Sequence, residues 1–233
     1  MNKEEFIKEL SEIGIMLTDK QLLELSKYYE LLKSENQKYN LTNIIDESEV
    51  YLKHFYDSLT LIKGIKINNQ YICDMGSGAG FPGIVLKIAF PKIKIDLIDA
   101  TTKKCQFLKM VIEELKLENI NVLNCRIEDY GINNREKYDI VTCRAVAPLK
   151  HLLEYGIPLL KIGGSFIALK SNINEEIINI NNYHQKLSLI NERIVEFKLP
   201  IENSKRTLYI VEKAAKTKLI YPRKYSQIKK KEI

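Results

Sequence analysis

The sequence predicts an α/β protein whose mostly parallel, seven-stranded sheet ends in an antiparallel hairpin and is preceded by a helical segment. Three observations predict this class. From Tyr71 onward, short apolar runs alternate with helical segments, which is the pattern of βαβ units. A glycine-rich turn joins the first run to the next helix, as in nucleotide-binding folds. The last two apolar runs, residues 194–199 and 207–212, are separated only by a polar loop.

The residues before the sheet are predicted to form three helices. Apolar periodicity predicts the first from Lys3 to Ile13 and the third over about residues 46–63. Thr18 begins a capping-box pattern, which marks the start of the second helix. In the third helix, the spacing of His54 and Asp57 puts both side chains on one edge.

The strands and helices of the sheet region follow from the change between strand and helix periodicity. The predicted strands are residues 71–75, 93–99, 121–124, 138–143, 165–169, 194–199 and 207–212. The predicted helices are residues 82–90, 102–117, 149–160 and 175–189, with a turn at Gly163-Gly164. We divide the chain into a helical extension packed on the core (1–66), the core itself (67–213) and a basic tail (214–233).

Length and composition bound the class of protein. The chain has 233 residues, 45% of them hydrophobic, which is enough to bury one full core. It has no run of about 20 apolar residues, the length that crosses a membrane, and it opens as an acidic helix rather than a secretory signal. We therefore expect a cytoplasmic protein. The four cysteines are far apart without a C-x-x-C pair, so we expect neither a metal site nor disulfides.

Positive charge is concentrated at the end of the chain. Residues 213–233 hold eight basic residues against Glu232, a local charge of +7, while the other 212 residues sum to −1. The basic residues are Lys213, Lys216, Lys218, Arg223, Lys224, Lys229, Lys230 and Lys231. Such a tail suggests a polyanionic partner, because neutralising phosphates releases counterions. A solvated tail that only aids solubility is the alternative.

The segment from Asp74 to Gly83 allows two interpretations. Gly76-x-Gly78-x-Gly80 is typical of S-adenosylmethionine sites, whereas Gly78-x-Gly80-x-x-Gly83 matches the dinucleotide fingerprint. That fingerprint should begin where the strand ends, and Gly76 rather than Gly78 follows the strand. A carboxylate at Asp74 repels a pyrophosphate but suits the cationic S-adenosylmethionine. The segment therefore favours a class I, Rossmann-like methyltransferase over a nicotinamide-dependent oxidoreductase.

Two further positions bear on the cofactor. Asp99 ends the second strand, where an acid accepts hydrogen bonds from ribose hydroxyls in both cofactor classes. Its alternative role is to cap the helix that starts near Thr102. An oxidoreductase also needs acid–base residues, and the Tyr-x-x-x-Lys pair at Tyr209 and Lys213 falls in a predicted strand rather than in the helix that short-chain dehydrogenases require. That pair therefore does not support the oxidoreductase interpretation.

Six blocks, in order and spread over most of the chain, resemble the RsmG (GidB) family of bacterial small-subunit rRNA methyltransferases. They are Asn40-Leu41-Thr42, His54 to Leu59, Asp74 to Gly83, Arg144 to Ala147, Ala168-Leu169-Lys170 and Tyr221 to Lys224. The resemblance implies methylation of guanine N7 in 16S rRNA, at position 527 in the family's usual rRNA numbering, with S-adenosylmethionine. The chain departs from the family at Cys143, where Ser is usual, and at residues 225–228.

The resemblance also implies where the cofactor lies. Gly76 and Phe81 should line it, Ile127 and Glu128 should sit by the adenine, and Arg144 should lie beside it at the end of the fourth strand. Together with the residues of the glycine turn, the expected cofactor contacts are Asp74, Gly76, Gly78, Gly80, Phe81, Asp99, Ile127, Glu128 and Arg144.

Guanine N7 has an exposed lone pair, so methyl transfer to it needs alignment but no general base. We assign no catalytic base. Arg144 is a candidate for positioning the guanine through O6 or a phosphate; pairing with Asp74, Glu128 or another acid is its alternative role. Cys143 admits a further alternative, the covalent nucleophile of a cytosine-C5 methyltransferase.

The expected partner is 16S rRNA or a small-subunit assembly intermediate, bound by a monomer. Candidate RNA contacts are His54, Lys170, Arg206, Arg223 and Lys224. The alternatives left open are methylation of another nucleic acid or a small molecule, hydride transfer with a nicotinamide, and RNA binding without catalysis.

Overall fold

A computed structural model of the chain, which describes residues 1–144, 147–178 and 180–230, contains a seven-stranded sheet. The strands are β1 (Tyr71–Met75), β2 (Lys94–Asp99), β3 (Ile120–Asn124), β4 (Tyr138–Arg144), β5 (Leu160–Lys170), β6 (Leu189–Lys198) and β7 (Lys205–Lys213). Their order is β3-β2-β1-β4-β5-β7-β6. The first five strands are parallel, and β7 pairs antiparallel with both β5 and β6. The predicted sheet and terminal hairpin are confirmed.

The strand order reverses between β1 and β4. In open α/β sheets, ligands bind at such a switch point, outside the carboxyl ends of the strands. The helices on both faces are α5 (Gly83–Ala89), α6 (Thr102–Glu114), α7 (Ile127–Asn133), α8 (Leu149–Gly156) and α9 (Asn181–Leu187), and α10 (Tyr225–Lys230) follows the sheet. Within the described part of the chain, no helix is long and apolar enough to cross a membrane.

The helical segment before the sheet begins with α1 (Lys3–Glu12) and α2 (Asp19–Tyr39), and both helices start with a complete capping box. The predicted third helix is continuous over residues 47–63 but not uniform. It consists of α3 (Glu47–Glu49), a π-helical stretch Val50–Tyr56, α4 (Asp57–Leu59) and a 3₁₀ turn Thr60–Lys63. The wider π turns alter the direction of the side chains around His54, and π-helical turns are frequent at functional sites.

The helical segment shares one hydrophobic core with the sheet. Tyr28 of α2 is fully buried, and its hydroxyl donates a hydrogen bond to the carbonyl of Ala79 in the glycine-rich turn. The Gln21 side chain donates to the carbonyls of Ile88 (2.8 Å) and Ala89 (3.0 Å), which closes the end of α5. The extension therefore supports the turn from behind.

Three parts of the predicted secondary structure were wrong. Gly163 and Gly164 lie inside β5, where the register jumps from Tyr138 opposite Leu160 to Ile140 opposite Ser165, so residues 161–164 form a bulge rather than a turn. Residues 174–178 form turns instead of helix, and among the described residues of the stretch predicted as 175–189 only α9 is helical. Strand β6 begins five residues earlier than predicted, because its mostly exposed edge position gives little apolar alternation.

Gly83 makes the close contact between α5 and the sheet. A Cβ on this residue would lie 2.3 Å from Leu97 Cδ2 and 2.6 Å from Asp74 Oδ2. Close helix–strand packing is also the task of the third glycine in the dinucleotide fingerprint. A glycine is needed here for helix–strand packing in either kind of fold. This explains why the sequence matches both cofactor patterns.

We expect Gly83→Ala to reduce the free energy of unfolding by about 2 kcal/mol, the usual cost of overpacking a core. Gly163→Ala is the control: its φ of 81° strains a side chain, but a Cβ meets nothing within 4 Å. That strain costs roughly 1 kcal/mol. Urea unfolding of both variants measures the difference, and equal losses would contradict the steric explanation.

Candidate active site and nucleic-acid interface

The glycine-rich turn bends sharply at the carboxyl end of β1. Gly76, Gly78 and Gly80 have φ values of 67°, 60° and 104°, in the left-handed region that glycine adopts readily. The amides of Gly76 and Ser77 donate to the carbonyl of Ile98 at 2.8 and 3.1 Å, which ties the turn to β2. A Cβ on Gly78 would meet only a carbonyl oxygen at 3.9 Å, so this side of the turn is open.

The open side of the turn faces a cavity of about 460 Å³, the cofactor cavity, at the switch point of the sheet. It brings together most of the residues predicted to contact a cofactor, namely Gly76, Gly78, Phe81, Asp99, Ile127, Glu128 and Arg144. Leu152 and Tyr155 of α8 also line it and were not predicted from sequence. A lining that combines apolar side chains with the carboxylates of Asp99 and Glu128 suits an adenosine.

Asp99 lines the cofactor cavity, and the ribose contact expected of it stays a prediction. It is not the N-cap of α6, since that position is Thr101. Asp99 Oδ2 accepts a hydrogen bond from the Gly78 amide at 2.9 Å, and its Oδ1 accepts one from the Thr101 amide at 2.8 Å, just before α6. Each carboxylate oxygen accepts more than one hydrogen bond. Asp99 thus orders the turn and the helix start while it lines the cofactor cavity.

Two predicted cofactor contacts, Asp74 and Gly80, do not line the cavity but lie behind the turn. A Cβ on Gly80 would lie 2.5 Å from the Tyr28 hydroxyl, so this glycine serves packing against α2. Asp74 is fully buried; Oδ2 accepts from the Gly83 amide at 2.9 Å, and Oδ1 has no hydrogen-bond partner. Burial raises the pKa of Asp74 to about 7.

His54, Phe81 and Arg144 meet at the inner end of the cofactor cavity. The His54 and Phe81 rings stack with centroids 4.2 Å apart, and the Arg144 guanidinium lies 5.1 Å from the Phe81 centroid. Arg144 Nη1 donates to the Lys53 carbonyl at 2.9 Å and to Asp57 Oδ2 at 3.3 Å. The acid that pairs with Arg144 is therefore Asp57, not Asp74 or Glu128.

Both ring nitrogens of His54 have polar neighbours. Nδ1 lies 3.1 Å from Arg144 Nη2, which can only donate, and 3.1 Å from the Lys53 carbonyl oxygen, which can only accept, so either neutral tautomer has a partner at Nδ1. Nε2 lies 3.0 Å from the Thr42 hydroxyl. Burial, followed by the charge of Arg144, lowers the pKa of His54 to about 3. The imidazole is neutral, and neither nitrogen is available as a base.

A second cavity of about 730 Å³, the substrate cavity, adjoins the first and shares His54 and Arg144 with it. Asp57 lies between two arginines there, since Arg206 Nε donates to its Oδ1 at 3.0 Å. Lys170 also lines this cavity, but its ammonium donates to the Ala147 carbonyl at 2.7 Å and to both oxygens of Glu176. Of the five predicted RNA contacts, His54, Lys170 and Arg206 thus surround one cavity.

The other two predicted RNA contacts lie elsewhere. Arg223 Nε and Nη2 donate to the two carboxylate oxygens of Glu154 at 2.8 and 2.7 Å, and Glu154 of α8 is fully buried. Lys224 is exposed on the same tail, outside both cavities. The structure thus gives Arg223 the role of anchoring the tail to α8. Lys231 of the tail, and Ala145 and Val146 of the family block, lie outside the described residues.

The remaining alternatives find no support in these positions. Cys143 is fully buried and burial raises the pKa of its thiol, so it cannot reach a base as a nucleophile. Tyr209 and Lys213 lie on β7, where the Tyr209 hydroxyl contacts His184 Nε2 at 2.8 Å and the Lys213 ammonium donates to the Leu160 carbonyl at 2.8 Å. Both side chains have structural partners.

Solved structures with this architecture include methyltransferases. A SAM-dependent O-methyltransferase from Thermotoga maritima is 15% identical with a TM-score of 0.53, and the match covers 80% of this chain and 72% of that one. M. jannaschii TYW2 in complex with AdoMet is 17% identical with a TM-score of 0.53, covering 67% and 78%. At these identities the likeness shows the fold alone, and it confirms the class I methyltransferase fold.

Sequence relatives are much closer. The protein named Ribosomal RNA small subunit methyltransferase G is 45% identical in Staphylococcus carnosus, over 96% of this chain and 95% of that relative. Its namesake in Acetivibrio thermocellus is 44% identical, over 94% and 91%. Residues 21–208 match the GidB family, described as rRNA small subunit methyltransferase G. This chain therefore belongs to the GidB family of rRNA small subunit methyltransferases G.

Proposed function

We propose that this protein transfers the methyl group of S-adenosylmethionine to N7 of one specific guanine in 16S rRNA. The observation that carries the proposal is the meeting of two cavities at His54 and Arg144, one beside the glycine-rich turn and one lined by charged side chains. Such a pair can hold a cofactor on one side and a base on the other, with His54 and Arg144 where the two meet.

The cofactor cavity fits S-adenosylmethionine by the chemistry of its walls. Asp99 and Glu128 supply carboxylates for the ribose and adenine end, and Ile127, Leu152 and Tyr155 supply apolar surface. The open face of Gly78 admits close approach of the ligand to the backbone. Asp74 lies behind the turn rather than in the cavity lining, and its ionised form favours a ligand with two cationic groups over one with phosphates. S-adenosylmethionine, when bound, supplies an activated methyl group.

The side chains around the junction favour N7 as the acceptor. Among the described residues there, His54 is neutral with both nitrogens engaged, and Asp57 is held by Arg144 and Arg206. An exocyclic amine needs help to lose a proton, whereas N7 attacks with a lone pair it already has. Arg144 can donate to guanine O6 while N7 stays free. The protein's task is therefore alignment.

The cavities lie within one chain, so we infer that a monomer suffices for catalysis, and that the protein works in the cytoplasm where rRNA is assembled.

Mapping N7-methylguanosine in 16S rRNA tests the proposal. Cells that lack the gene should lose the modification at one loop guanine, and the wild-type gene should restore it. A Gly76→Asp variant should not, because a side chain at φ 67° is strained and places a second acid at the turn. Unchanged methylation in cells without the gene would refute the proposal. Binding of NAD in preference to S-adenosylmethionine would instead favour the oxidoreductase.

A further inference from the structure

The tip of the β6–β7 hairpin contains a pair of like charges. Lys198, the last residue of β6, lies directly opposite Lys205, the first residue of β7. Directly opposed side chains are about 5 Å apart at Cβ, and like charges there destabilise a sheet. Both lysines are exposed, and within the described residues neither ammonium makes a hydrogen bond or an ion pair. The hairpin tip thus holds two like charges on opposed residues, and within the described residues neither has an ion-pair partner.

The chain direction puts this pair on the functional side of the sheet. Strand β7 runs antiparallel to β5, and Thr207 pairs with Lys170 at the carboxyl end of β5. The hairpin tip therefore lies at the carboxyl edge, where the cofactor and substrate cavities open. The C-terminal tail leaves β7 at its other end, after Lys213.

A third cavity, of about 250 Å³, connects the hairpin tip to the substrate cavity. It shares Ser171, Asn172 and Arg206 with the substrate cavity and is bordered by Lys198 and Lys205. Its lining contains three basic residues, Lys198, Lys205 and Arg206, and one acid, Glu196. Because Arg206 lines both cavities, the two lysines border the cavity next to the one that Arg144 lines.

We propose that Lys198 and Lys205 bind the backbone phosphates of the RNA strand that flanks the target nucleotide. The proposal rests on the rRNA methyltransferase function proposed above. A phosphate between the two ammoniums removes their repulsion and contributes affinity without reading a base. The strand then passes over the carboxyl edge of the sheet, with the target base in the substrate cavity. The basic tail is not needed for this contact.

The double variant Lys198→Gln/Lys205→Gln tests the proposal through three measurements on the full chain. Affinity for 16S rRNA should fall by roughly fivefold to eightfold per lost contact at 0.1 M salt. The logarithmic salt slope of binding should flatten by about 1.4 to 1.8 for the two contacts. The Tm should stay the same or rise, because the repulsion is gone, and S-adenosylmethionine affinity should not change.

Two matched variants complete the design. Lys109→Gln/Lys116→Gln also removes two positive charges, but near the amino ends of β1 and β3, where Lys109 borders a different pocket. This variant should leave the salt slope unchanged. Lys224→Gln/Lys230→Gln removes two positive charges from the C-terminal tail. If only the tail variant flattens the slope, or if the hairpin variant binds like wild type, the hairpin proposal is overturned while the function stands. If wild-type protein neither binds nor methylates 16S rRNA, both proposals fall.

Discussion

Replacing Arg144 with alanine is expected to slow methylation of 16S rRNA by about 10²-fold at saturating substrates, the usual penalty for losing alignment of the reacting groups. Arg144 is the one side chain among the described residues that contacts Asp57, His54 and the Lys53 carbonyl while lining both cavities. Without it, the His54 ring loses the donor at Nδ1 and the junction widens. The loss should appear in kcat, since the remaining walls of the cofactor cavity are unchanged.

Arg206→Ala is the matched control for Arg144→Ala. Either substitution leaves Asp57 with one guanidinium, so both change the charge balance around this carboxylate in the same direction. Arg206 does not reach the cofactor cavity. We expect Arg206→Ala to raise KM for RNA with a much smaller change in kcat. Equal kcat losses in the two variants would mean that Asp57, not the position of Arg144, controls the rate.

Single-turnover kinetics with pre-bound S-adenosylmethionine separate the chemical step from binding. Urea unfolding shows whether either variant is folded at the assay temperature. An Arg144→Ala enzyme with normal methylation and normal cofactor affinity would rule out the positioning role.

The sequence predicted the sheet well because its signals are local. β1 and β2 are buried apolar runs that end at Asp74-Met75 and Asp99, and the glycine turn follows β1 at once. Edge elements carried weaker signals. β6 exposes most of its side chains, so its first five residues lacked the alternation that marks a strand. The bulge in β5 depends on register with β4, which no local pattern encodes.

The site was predicted unevenly for a similar reason. Residues that follow strands, such as Gly76, Asp99 and Glu128, reach the cofactor cavity because the sheet topology brings strand ends together. Which acid pairs with Arg144 depends on the docking of the helical extension, 87 residues away along the chain. The shared helix edge of His54 and Asp57 was the signal that could have identified it. Arg223 looked like a free cation because its partner, Glu154, has an ordinary helical position.

We expect Asp74 to make stability and cofactor binding depend on pH in opposite ways. Its carboxyl has an ordinary value of 3.8 in the unfolded chain, and burial raises the pKa to about 7 in the fold. At pH values between 3.8 and about 7, the native state therefore keeps a proton on Asp74 that the unfolded state has lost. The stabilisation that protonated Asp74 gives the fold is complete below pH 4. It is lost as the pH rises from there through 7, and the total loss in free energy of unfolding is as much as about 4 kcal/mol.

Asp74→Asn should abolish this pH dependence. The asparagine oxygen can still accept from the Gly83 amide, and its amide group occupies the position of Oδ1, which has no partner in the wild type. We expect the difference in free energy of unfolding, variant minus wild type, to become more positive from pH 4 to pH 8. Urea unfolding across this range measures it. A constant difference would show that Asp74 ionises in the fold as it does in water.

Cofactor affinity should change with pH in the opposite direction, because a cationic ligand favours the ionised carboxylate. If S-adenosylmethionine binds the ionised form alone, its affinity rises about 15-fold between pH 5.5 and 7, a range in which its amino group stays protonated. The Asp74→Asn protein should bind more weakly at pH 7 and show little of this rise. S-adenosylhomocysteine lacks the sulfonium charge and should show a smaller rise with wild type. Equal pH profiles for the two proteins would mean that Asp74 shapes the turn without sensing the ligand's charge.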